Sequence, residues 1–214
     1  MPRWLWILLL GLLLALWWTG RHGQTPMPAT SISGNAAVPC PLPPALADAD
    51  QPRQSEVGGR MTPFRLGNAT VSPLAGFSLQ ARVLSRENYS LGPASDYSPT
   101  DLALGWGPMS APGMAQKLHV RQAGRWYRYG WSGDGPPIPP EQIVMNSANM
   151  HMVPADIAAA RSLERIGAGD IVRVDGWLIR IDDDQGWHWQ SSLSRADSGA
   201  GACELVLVCS IRSL

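Results

Sequence analysis

A chain of 214 residues with 17 basic and 17 acidic side chains carries no net formal charge, unlike proteins that hold nucleic acid through clusters of counterion-releasing lysine and arginine. Setting aside Arg3 and Arg21 leaves 15 basic against 17 acidic residues, so the neutral total conceals no basic domain. A single lysine, Lys117, among many arginines, with abundant Ala, Gly and Pro, reads as the residue usage of a GC-rich bacterial genome.

Residues 4–20 contain no charged side chain. As a helix rising ~1.5 Å per residue they would span roughly 25 Å, a short crossing of the ~30 Å hydrocarbon core. Trp4 and Trp6 stand at one end and Trp17 and Trp18 at the other, where indole rings favour the headgroup region. Signal cleavage requires small residues three and one positions before the cut. Trp18-Thr19-Gly20 and Gly20-Arg21-His22 fail that test, and Ala29-Thr30-Ser31 passes it only at a distance from the apolar run. Residues 1–22 are therefore expected to form an uncleaved transmembrane signal anchor. Arg3 is nearly balanced by Arg21 and His22, but a two-residue tail before Arg3 favours an inside N-terminus. The expected location is the inner (cytoplasmic) membrane, single-pass, with the C-terminal domain in the periplasm.

Residues 23–60 are rich in Pro, Ala, Ser and Gly. Too few large apolar side chains are present to offset the entropy of ordering, so this stretch is expected to be a disordered linker. A single domain is expected over 61–214. Phe77–Leu84 alternates as a half-buried strand. Ser98-Pro99-Thr100-Asp101 has the proline and acid of a helix start, 114–120 suits a second short helix, and Gly124–Trp131 reads as a strand. After a Pro-rich turn and a helical turn at 141–145, the clearest helix has Ile157, Ala160, Leu163 and Ile166 along one face, with Asp156 at its start and Gly167 at its end. Asp170–Ile181, bent at Gly176, Trp187–Ser192 and Cys203–Cys209 complete the chain as strands. The expected class is α+β, with a small, curved, largely antiparallel sheet resembling part of an OB or SH3 barrel.

Three cysteines form an odd set. Cys203 and Cys209 lie on one strand about 20 Å apart, too far for a bridge. Cys40 could reach either, although buried thiols acting as small hydrophobes are the plainer reading. One catalytic arrangement is conceivable: Cys203 as nucleophile, His151 as its base and Asp197 or Glu204 orienting the imidazole. Binding candidates are Arg195, in a Gly-rich loop that could cradle an anion, and two aromatic faces, Tyr129 with Tyr127 and Trp131, and Trp187 with Trp189. The histidines show neither helical pairing nor cysteine partners at zinc spacing, and Asp182-Asp183-Asp184 lacks the alternation of a calcium loop. No metal or cofactor is expected.

The segments Ser147-Ala148-Asn149-Met150-His151 and Gly201-Ala202-Cys203-Glu204, together with 102–109, resemble those of uncharacterised bacterial single-pass membrane-anchored proteins. That resemblance implies the layout of anchor, variable linker and one domain, and no activity. The leading expectation is a membrane-tethered periplasmic binding or assembly domain, non-enzymatic, with an envelope protein or peptidoglycan as partner. The alternative is a Cys/His hydrolase acting on an envelope substrate.

Overall fold

Alternation of apolar and polar side chains, the mark of a strand with one face buried, governs most of the chain beyond residue 51. The computed structural model describes residues 40–44, 51–133, 135–194 and 202–214. In chain order they form β1 (Arg53–Ser55), β2 (Phe64–Leu66), β3 (Ala69–Asn88), α1 (Pro93–Tyr97), β4 (Thr100–Gly105), a 3-10 turn (Gly107–Ser110) and α2 (Met114–Lys117). There follow β5 (Arg121–Ala123), β6 (Trp126–Arg128), α3 (Pro140–Met145), β7 (Ser147–Pro154), α4 (Ile157–Glu164), β8 (Ile171–Asp183), β9 (His188–Gln190) and β10 (Glu204–Ser213).

Five strands close a ring. β3 pairs antiparallel with β8 through Ala69–Arg82 and with β4 through Arg82–Asn88, so one 20-residue strand serves two neighbours. β4 pairs antiparallel with β7, β7 runs parallel to β10, and β10 pairs antiparallel with β8. A straight strand of that length would reach about 65 Å. Register shifts between Pro73 and Ala75 and between Val83 and Ser85 bend it around the ring. β1 and β2 add to β3, β9 adds to β8, and β5 with β6 forms a separate hairpin.

Each shift moves side chains from one face to the other. Phe77, Leu79, Leu102, Leu104, Met150, Met152, Val174, Leu178, Val206 and Val208 share the inner core, which Leu163 of α4 and Ile166 just beyond that helix join. Val71 lies before the first β3 shift and belongs instead to an outer layer with Val153, Trp177, Ile179, Leu205 and Leu207. A second outer layer, containing Leu84, Ala103, Met109, Leu118 and Ile143, is packed by Tyr127 and Tyr129. Asp156 caps α4 by accepting from the Ala159 N–H at 2.7 Å. Arg86 of β3 donates to the Leu163, Glu164 and Ile166 carbonyls at the other end of that helix, and burial lowers its pKa.

The expected α+β class is corrected. Strands make up 45% of the protein and helices 17%, and the sheet is large and mixed, with eight strands. Ser98-Pro99 precedes a strand where a helix was expected, because Thr100–Gly105 find hydrogen-bonding partners on both β3 and β7. Among the described residues no helix is long and apolar enough to cross a membrane; the anchor expected at 1–22 lies outside them.

Parts of the expected linker belong to the folded unit. Cys40 is disulfide-bonded to Cys209, with a Cα–Cα distance of 5.3 Å, and the Trp177 indole N–H donates to the Pro41 carbonyl at 2.8 Å. Arg53–Ser55 pair with Gly76–Ser78 of β3. The expected bend at Gly176 also takes another form: the irregularity falls between Val208 and Ser210 of β10. Gly176 is a point of close approach, where a Cβ would collide with the Leu207 carbonyl.

Candidate functional site

The β5–β6 hairpin turns through Gly124 and Arg125, at φ of 58° and 67°. Positive φ at both central residues is the mark of a type I′ hairpin turn. The conformation is unfavourable for an arginine, and the contacts of its side chain account for it. The guanidinium donates to Asp101 Oδ1 at 2.8 Å and to the Ser98 carbonyl at 2.7 Å. It lies 4.2 Å from the centre of the Tyr89 ring and 5.3 Å from that of Trp189. The Arg125 N–H donates to Tyr89 Oη at 2.9 Å. Arg125 therefore latches the hairpin to the outside of the barrel.

Beneath it, Asp101 on β4 and His151 on β7 are register partners. They project from the outer face, because their neighbours Leu102, Met150 and Met152 line the interior. Asp101 is fully buried beside an Arg125 side chain that is 17% exposed. It also accepts from Asn149 Nδ2 at 3.2 Å, and Asn149 in turn accepts from Gln122 at 2.6 Å. His151 Nδ1 lies 2.9 Å from Asp101 Oδ1, off the line of a hydrogen bond.

Aromatic rings extend the site. Trp189 lies 4.6 Å from His151 and 5.9 Å from Trp187, and Trp187 stacks on Tyr97 at 5.9 Å. Tyr97 is buried, while Tyr89, Trp187 and Trp189 are half-buried. The Tyr89 phenol is pushed up to about 12, first by burial and then by the negative charge of Asp101; it stays neutral and can accept from the Arg125 N–H.

His151, Trp187 and Trp189 are brought together; the other candidates that the structure describes are not in contact with them. Tyr127 and Tyr129 pack on the second outer layer with ring centres 5.6 Å apart. Trp131, expected to share their face, lies beyond β6 and is 40% exposed. Glu204 is buried and pairs in register with Met150, on the face opposite His151. Cys203 is half-buried, and its carbonyl accepts from the Ser192 N–H at 3.1 Å. Arg195 and Asp197 lie outside the described residues. Asp101, Arg125 and Tyr89 were missed as a cluster because their meeting depends on strand register and a hairpin fold; the Gly-Arg dipeptide at 124–125 was the available signal. Among the described residues no group of three or more His, Cys, Asp or Glu side chains could hold a metal ion. No family model, curated protein or solved structure matches the chain.

Proposed function

We propose that the barrel is a membrane-tethered, non-enzymatic binding or assembly domain that works outside the cytoplasm, and that its envelope partner meets the strip running from Trp187 through Trp189 to Arg125 and Tyr89. The observation that carries this reading is the setting of Trp189. It is half-buried, touches Trp187 and His151, and has the Arg125 guanidinium beside it. A ring held in place loses little side-chain freedom on binding. Its open surface suits a flat apolar face, such as a sugar ring of peptidoglycan or an aromatic patch on an envelope protein. The Cys40–Cys209 disulfide supports the compartment, since such bonds persist in the periplasm and are rare in the cytosol. The uncharged run at 4–20 supports the tether.

The test is photo-crosslinking in cells from His188, an exposed neighbour of Trp189 on β9, with exposed Glu141 on α3 as the control position. The expected result is one discrete envelope product from position 188, lost in the Trp189→Ala variant. Equal products from both positions, or a product indifferent to Trp189, would contradict the reading.

A second reading, the Cys/His hydrolase, draws support from the approach of Asp101 to His151, an acid placed to orient an imidazole. The register of Leu205 with His151 also sets Cys203 only two residues away along the neighbouring strand. It requires Cys203 to alkylate quickly in the folded protein and slowly in His151→Ala. Alkylation confined to the unfolded protein would remove it.

A further inference from the structure

The inner face of the β5–β6 hairpin is used in holding it to the barrel; the outer face carries a different chemistry. Residues 102–133 include four cationic side chains and no Asp or Glu, in a chain that is neutral overall. Of the four, Arg125 is turned inward onto Asp101. Lys117, Arg121 and Arg128 are exposed and form no ion pair among the described residues. Arg121 and Arg128 are direct cross-strand partners. Like charges opposed in this way destabilise a hairpin unless an anion lies across them. Trp126 shares their face at 42% exposure, and Trp131 follows at 40%. Exposed indole beside arginine and lysine is the composition of a surface that rests among lipid headgroups.

The tether brings such a surface within reach. The disulfide fixes Cys40 to the barrel, so only residues 21–39 separate the uncharged run from the folded unit. Nineteen residues span at most about 65 Å fully extended. On the tethered reading the barrel thus stays within that distance of the bilayer.

We propose that the outer face of the β5–β6 hairpin, Arg121 and Arg128 with Trp126, docks on anionic phospholipid headgroups of the membrane in which the chain is anchored. This rests on the tethered reading. Docking orients the barrel, and leaves the strip from Trp187 to Tyr89 for its partner, since the Arg125 side chain that belongs to that strip is turned to the inner side of the hairpin. The two arginines favour an anionic surface over a neutral one by on the order of 30-fold.

The experiment is hydrogen exchange of the full chain in phosphatidylcholine nanodiscs, with or without phosphatidylglycerol. Amides of 121–128 are expected to exchange several-fold more slowly in the anionic discs. High salt and the double variant Arg121→Glu with Arg128→Glu should abolish the difference, while exchange in β3 and β8 stays unchanged. Both arginines are exposed, so the variant is expected to fold and to enter the discs. Equal exchange in the two kinds of disc, or a difference that survives charge reversal, overturns the proposal. A chain that enters neither disc defeats the tether, and the hairpin is then judged by whether the same amides slow on phosphatidylglycerol vesicles added to the soluble chain; if they do not, the proposal also fails.

Discussion

Asp101 holds the exterior cluster together. It is fully buried and neutralises Arg125, whose backbone sits at φ 67° to deliver the guanidinium. Replacing it with asparagine keeps the shape but removes the charge, leaving a mostly buried cation without its counterion. Asp101→Asn is expected to lower stability by about 3 kcal/mol, read as a fall in the denaturant midpoint. Asp184→Asn, which breaks the exposed pair with Arg65, is expected to leave that midpoint unchanged. The tyrosines give a pH prediction of definite sign. The Tyr89 and Tyr127 phenols are each pushed up to about 12, chiefly by burial, against about 10 in an unfolded chain. The fold favours the protonated phenols, so their contribution is intact below pH 10 and is lost as pH rises from 10 to 12. Urea titrations across that range should show stability falling, with a shallower fall in the Tyr89→Phe, Tyr127→Phe double variant.

At the scale of elements, the close approach of β8 to β10 depends on Gly176. A Cβ there would collide with backbone, which cannot swing aside as a side-chain tip can. Gly176→Ala is expected to destabilise by about 3 kcal/mol, whereas Gly130→Ala, where a Cβ meets nothing within 4 Å, should be close to neutral. Legibility followed the range of the forces involved. The α4 helix was readable because its cap and apolar face lie within a dozen residues, and Asp156 does cap it. β8 and β10 were readable from their alternation. β7 was not, since Ser147–Pro154 becomes a strand by lying between β4 and β10. Nor was β4, where local proline and acid signals point to a helix and pairing on both edges overrides them. The Asp101–His151 contact had no short-range signature at all: 50 residues separate the two, and only the β4–β7 register brings them together.

At the scale of the molecule, one covalent bond joins the N-terminal segment to the last strand. Cys40 and Cys209 are 169 residues apart; closing a loop that long restricts the unfolded chain, and reducing it is expected to cost roughly 2–5 kcal/mol. A disulfide of this kind supports the proposed placement of the barrel outside the cytoplasm, since it persists in an oxidising compartment. The most direct measurement is differential alkylation of the full chain, trapped in denaturant straight from cells and mapped by peptide mass. The expected result is a linked peptide pair containing Cys40 and Cys209, with the alkyl label on Cys203. Recovery of Cys40 and Cys209 both labelled as thiols would contradict the clamp and, with it, the placement of the barrel outside the cytoplasm.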